Sequence, residues 1–243
     1  MTLDTCVTLG DERETVLSVA DLLRQMDEAA VEQAIVQPAD RSLAVDNRSG
    51  NEAMLRAAHS HPDRLIAACT VNPWFGAHAV EELRRAIGDG ARMVVFAPAL
   101  QGFILGDDLL DKLLDVVSPL RLPVYMHTGP HLQATPWQLV DVAERYPDVP
   151  FLMGHSGATD FWTDVPAAAL SCENIYLESS FARPFAMINH LRQIGQRRGV
   201  MGSGAPRNDL RFEWDQMRAV FDPTEHTALF GGTMRALLEG VAP

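Results

Sequence analysis

Residues 121–157 read RLPVYMHTGPHLQATPWQLVDVAERYPDVPFLMGHSG. Two short apolar runs, over 124–126 and 151–153, enclose a longer amphipathic stretch over 136–146. Short runs of this kind predict buried strands, and the stretch between them predicts a helix. Each run ends on a histidine, His127 and His155. The unit is therefore strand, helix, strand, with a candidate chemical group at each strand end.

The same alternation extends outward in both directions. Upstream, an apolar run over 3–9 precedes apolar positions Leu17, Val19, Leu22, Leu23 and Met26 at helical spacing. Further strands are expected over 34–36, 65–71 and 93–96, separated by helices over 52–59 and 77–87, with another helix over 109–117. Downstream, a helix over 165–170 leads to a strand over 175–177. A helix over 187–194 then leads to 200–201, and helices over 212–221 and 233–238 finish the chain. Regular alternation of strand and helix predicts a parallel sheet. Eight such units within 243 residues predict an α/β fold, one (β/α)8 TIM-like barrel spanning residues 1–243 as a single domain.

Composition narrows the function classes. With 32 acidic and 20 basic residues the net charge is −12, which repels nucleic-acid backbones and anionic lipid; neither is an expected partner. The amino terminus lacks a basic start and an apolar core, so no signal peptide is expected. Cys6, Cys69 and Cys172 form no spaced framework, which suits a reducing compartment, and the expected location is cytoplasmic.

Barrels of this type carry chemistry at the C-terminal strand ends. The residues expected there are Cys6 and Thr8, Gln37, Asn72, Ala97, His127, His155, Glu178 to Ser180, and Ser203-Gly204. Trp74, Phe75, Phe103, Trp137, Trp162 and Phe181 fall in or near the loops that follow, where aromatic side chains line a pocket mouth. Arg207 is placed to reach an acidic ligand, and Asn208 or Asp209 to cap the next helix. The remaining histidines, His59, His61, His78, His131, His190 and His226, lack ligand spacing and are expected at the surface or at caps.

Several segments resemble the amidohydrolase-related family of amide hydrolases, lactonases and metal-dependent decarboxylases. They are NEAMLRAAHSHPDRLIAACTVNP (51–73), LQGF (100–103), LPVYMHTG (122–129), YPDVPFLMGHSGATDFW (146–162), NIYLESS (174–180) and GGTMRALL (231–238). The resemblance implies the amidohydrolase type of barrel and a divalent ion, usually zinc. The ion would be held by an H-x-H pair on the first strand, a histidine after the fifth, often one after the sixth, and an aspartate after the eighth. That aspartate also serves as general base. Here Cys6 and Thr8 stand at the H-x-H positions, Val95 and Ala97 replace the lysine and histidine of the fourth strand, and Gly204 replaces the aspartate. Only His127 and His155 match.

Two imidazoles are too few for a tight zinc site, so no cofactor is expected; the one zinc set left is Cys6, His127 and His155. The primary expectation is a metal-free, non-hydrolytic subunit with a degenerate metal site. It would stabilise or regulate an active paralogue as a hetero-oligomer, or associate as a homo-oligomer. One alternative is a hydrolase, lyase or decarboxylase acting on a small carboxylic acid, amide or lactone. Its candidate catalytic groups are His127, His155, Cys6 and Glu178. The other is a small-molecule binding module. In either alternative the pocket would be formed by Thr8, Gln37, Asn72, Trp74, Phe103, Trp162, Ser180, Gly204 and Arg207. For Cys6 the competing reading is a small buried apolar residue, and for Glu178 a cap or surface carboxylate.

Overall fold

The computed structural model describes residues 2–12, 15–129, 131–158, 160–241 and 243; of Glu12 and Thr15 only the backbone is described. The chain runs β1 (Leu3–Glu12), β2 (Thr15–Leu17), α1 (Val19–Glu28), β3 (Gln33–Pro38), α2 (Asp40–Ala44), α3 (Asn47–Ser60) and β4 (Leu65–Thr70). It continues through α4 (Ala77–Gly88), β5 (Met93–Phe96), α5 (Pro98–Gln101), α6 (Asp111–Val117), β6 (Val124–His127), α7 (Pro136–Arg145) and β7 (Phe151–Gly154). It ends with α8 (Val165–Ser171), β8 (Ile175–Glu178), α9 (Pro184–Ile194), β9 (Gly199–Val200), α10 (Leu210–Val220) and α11 (Thr233–Leu238).

The nine-stranded sheet has the order β2-β1-β3-β4-β5-β6-β7-β8-β9, and every pair after β2-β1 is parallel. The segment after β9 returns to β1 and closes the barrel. Thr5 N donates to Met201 O at 2.8 Å, Gly204 N to Cys6 O at 2.9 Å and Thr8 N to Ala205 O at 2.8 Å. The (β/α)8 barrel expected from the alternation is therefore present.

The strands read as continuous apolar runs because both faces are buried. Alternation divides them between two cores. Val94, Phe96, Val124, Met126, Ile175 and Leu177 pack outward under the helices, while Met93, Val95, Tyr125, Tyr176 and Val200 fill the barrel interior. Glu178 has the parity of Tyr176, so it faces the axis, and His127 has the parity of Tyr125. On β1 the register shifts between Asp4 and Val7. This bulge gives Cys6 the inward position that strict alternation from Leu3 would have given to Thr5 and Val7.

Two details differ from the alternation. Leu17 belongs to β2, paired antiparallel opposite Gly10, and not to the helix that follows. Ser18 stops the helix from extending back, because its hydroxyl accepts from Asp21 N as the N-cap of α1. His190, expected at the surface or at a cap, is buried on α9, 3% exposed, where it stacks on Trp162. Among the described residues no helix is long and apolar enough to cross a membrane.

Candidate functional site

The mouth of the barrel is built in two halves. Around β3, β4 and β5 buried amides stitch the strand ends together. Gln101 donates to Leu43 O and Val71 O, both at 3.0 Å, and accepts from Ala97 N at 2.9 Å. Asn51 accepts from Thr70 N at 2.8 Å, and Asn47 from Asn72 N at 2.7 Å. Asn72, expected in the pocket, spends its own side chain on Ala44 O and on Trp74 N. Phe103, also expected there, is buried in the outer core. The other five aromatics expected in these segments, Trp74, Phe75, Trp137, Trp162 and Phe181, stay exposed.

Around β6 to β9 the side chains form one connected network centred on Glu178. This carboxylate is fully buried, which corrects the cap or surface reading. Its Oε2 accepts from Tyr125 OH at 2.6 Å, Ser180 Oγ at 2.7 Å and His155 N at 3.0 Å; its Oε1 accepts from Ser180 N at 2.7 Å. Burial pushes the Glu178 carboxyl above its usual range, while these donors pull it back. Gly202 makes room for it: a Cβ there would lie 2.1 Å from Glu178 Oε1.

The donors impose a direction on the rest. Ser180 Oγ gives its proton to Glu178 and so accepts from His155 Nδ1, at 2.7 Å. His155 Nε2 lies 2.9 Å from His127 Nδ1. Burial keeps both imidazoles neutral, pushing His155 down to about 4 and His127 well below its usual value. His155 Nε2 is then an acceptor, His127 Nδ1 carries the proton between them, and His127 Nε2 is left with a lone pair, buried and without a partner. Arg207, held by Asp40, is close enough to oppose protonation of both rings.

Cys6 continues the network on the other side. Its Sγ lies 3.3 Å from Tyr125 OH and 3.8 Å from Gln37 Nε2, which also donates to Thr8 Oγ1 at 3.1 Å. Burial raises the Cys6 thiol well above its usual range, so it is a thiol and a poor nucleophile. Tyr125 and Asp4 are the central residues that sequence reasoning missed. Tyr125 is the one polar group in the apolar run 124–126 and Asp4 the one charged group in 3–9, which was the available signal. Asp4 accepts from Cys6 N at 3.1 Å, Ser203 N at 3.0 Å and Trp214 Nε1 at 2.9 Å, pinning the β1 bulge to the closing segment.

The profile of the Amidohydrolase family matches residues 15–239. The chain belongs to the amidohydrolase family. No curated protein matches the sequence. Solved structures of the same fold include an uncharacterized TIM-barrel protein from Bordetella bronchiseptica (15% identity, 98% of each chain, TM-score 0.82). A 2,6-dihydroxybenzoate decarboxylase from Rhizobium is 15% identical over 98% of each chain, with a TM-score of 0.77. A 5-carboxyvanillate decarboxylase from Novosphingobium aromaticivorans, with bound manganese, is 14% identical over 98% of this chain and 97% of that one, TM-score 0.81.

The residues of this amidohydrolase do not fit a resident divalent ion. Among the described residues no three His, Cys, Asp or Glu side chains converge on one point. The His155 Nε2 lone pair is taken by His127, and Cys6 is a buried thiol beside Tyr125. Gly204 has a left-handed φ of +71°, and a Cβ there would lie 2.8 Å from the Phe181 ring. The backbone at the aspartate position is thus set for glycine.

The buried acids and bases oppose each other in pH. Burial pushes Asp4 up from 3.8 to about 6, so the folded state holds a proton that the unfolded chain has released, and stability falls as pH rises between those values. His155 is pushed down from 6.5 to about 4, so the unfolded chain binds the proton first, and stability rises with pH over that window. The slopes of Asp4 and His155 nearly cancel between pH 4 and 6, and those of Glu178, whose carboxyl burial pushes up, and His127, whose ring burial pushes down, oppose each other in the same way. In His155→Gln the acid slope is uncovered: stability from urea unfolding is expected to drop by about 1–3 kcal/mol across that window. A flat or rising profile in the variant would contradict the assignment.

Proposed function

We propose that this chain is a metal-independent, non-hydrolytic amidohydrolase barrel that works by association, with copies of itself or with an active relative. The observation that carries the proposal is the cage of Cys6, Tyr125, Glu178, Ser180 and the paired imidazoles, which occupies the strand ends with its hydrogen bonds turned inward. A general base must reach substrate, and Glu178 is saturated by four donors from its own chain. Association is supported by the large apolar side chains exposed in the segments after β4 and β6, with Trp74 62% and Leu132 75% exposed.

The test is metal analysis of protein purified without chelator, together with its mass by light scattering. The expected result is far less than one manganese or zinc per chain and a species larger than a monomer. Trp74→Ser with Leu132→Ser should shift that species toward monomer. Stoichiometric metal whose removal abolishes turnover would overturn the proposal, as would a monomer that leaves an active relative unaffected.

A second reading, decarboxylation or hydrolysis without an ion, is favoured by the unpartnered lone pair on His127 Nε2. Solved structures of the fold include two aromatic-acid decarboxylases. Turnover of a small aromatic acid that survives chelator and disappears in His127→Ala would establish it.

A further inference from the structure

Beside the barrel axis a cleft of about 140 Å³ opens between β7, β8 and α9, lined by Trp162, Phe181, Arg183, Phe185, His190 and Ser156 among others. We propose that this cleft binds a flat, one-ring organic anion that carries its own N–H or O–H donor. The inference is independent of the association role, because none of its residues belongs to the rim after β4 and β6.

Size and lining set the ring. A cavity of roughly 150 Å³ with apolar walls admits benzene, so a space of this volume takes one six-membered ring. Trp162 and Phe185 meet edge to face, centroids 6.2 Å apart at 74°, and form an aromatic corner. Both remain half-exposed, as does Phe181, whose ring edge also abuts His155. A planar ring completes such a corner by stacking and edge contacts that a puckered ring cannot make.

Two polar features set the rest. Arg183 lines the cleft and has no ion pair or side-chain hydrogen bond among the described residues. It immediately precedes α9, whose eleven residues start with Pro184. A carboxylate beside Arg183 would meet both the guanidinium and the positive end of that helix. Deeper in, the His190 ring stacks on Trp162, and its Nδ1, an acceptor in the tautomer that carries the proton on Nε2, is buried and without a partner. A buried acceptor left unmade is costly, and a ligand N–H or O–H would satisfy it.

The backbone supplies an independent sign. Of the five non-glycine residues with positive φ among those described, Ser156 (45°) and Phe181 (60°) line this cleft, and His155 (63°) packs against Phe181 behind it. Such conformations persist where the surroundings hold them, and they gather at ligand sites.

Calorimetric titration separates the contributions. The probes are 3-aminobenzoate, with ring, charge and donor; benzoate, without the donor; cyclohexanecarboxylate, without the flat ring; and aniline, without the charge. Saturable binding of 3-aminobenzoate is expected at about 10 µM to 1 mM, with each other probe weaker by about tenfold or more. Arg183→Gln, a change at an exposed side chain, should weaken both benzoates by about tenfold and leave aniline unchanged. Trp162→Ala should weaken all aromatic probes, and His190→Phe should abolish the preference for 3-aminobenzoate over benzoate. No saturable heat up to about 10 mM overturns the proposal. So does binding lost in His127→Ala but kept in Arg183→Gln and Trp162→Ala, which would move the ligand to the barrel axis.

Discussion

Glu178→Ala is expected to cost about 3–5 kcal/mol of folding stability, enough to unfold much of a protein of ordinary marginal stability at 37 °C. The carboxylate accepts hydrogen bonds from Tyr125 OH, from Ser180 N and Oγ, and from His155 N, all within 3.0 Å. Truncation leaves these donors facing a hole in a sealed interior. Each unmade bond costs about 1–3 kcal/mol, and the sum is reduced where water enters or Ser180 turns. Glu178→Gln tests the same point more gently. Three of the four donors meet Oε2, so the amide will keep its oxygen there and set its NH2 against Ser180 N alone. Its expected cost is about 1–3 kcal/mol. Urea unfolding of the three proteins measures both differences. An alanine variant within about 1 kcal/mol of the parent would show that the network does not hold the mouth together.

Restoring the family's aspartate should fail for a backbone reason. Gly204→Asp places a side chain at φ +71° and drives its Cβ toward the Phe181 ring and Ser180 Cβ, 2.8 and 3.2 Å away. The conformation costs about 1 kcal/mol even for aspartate, and displacing the packed neighbours about 1–3 kcal/mol more. The expected result is a protein destabilised by about 2–4 kcal/mol. It should take up no manganese or zinc, even when Cys6→His and Thr8→His are added. Metal analysis after dialysis against either ion, beside an unfolding curve, decides it. A stable triple variant that binds one ion per chain would show that the strand ends still have the family's geometry.

The two variants probe opposite aspects of one arrangement. Glu178 needs Gly202 in order to fit, and Phe181 needs Gly204, so glycine has become part of the packing on the closing segment.

The sequence by itself determined the barrel, because apolar runs of strand length alternating with amphipathic stretches have few other ways to bury both faces of a sheet. It also put His127 and His155 at the ends of neighbouring strands, whereas Cys6 and Thr8, expected at a strand end, lie within β1. Alternation within 175–178 left the direction of Glu178 open; the structure puts Tyr176 and Tyr125 in the inner core, and Glu178 shares the parity of Tyr176. Three matters were left to the tertiary structure. The bulge between Asp4 and Val7 reverses the parity of β1 and brings Cys6 to the axis, held by an aspartate whose other partners are about 200 residues away in sequence. The hydrogen-bond direction from His127 to Glu178 depends on three strand ends meeting, those of β6, β7 and β8. Burial of Phe103 and His190 depends on helices packing over loops that the sequence left open. Local pattern fixes which way a side chain points from its own strand; only barrel closure decides which side chains it meets there.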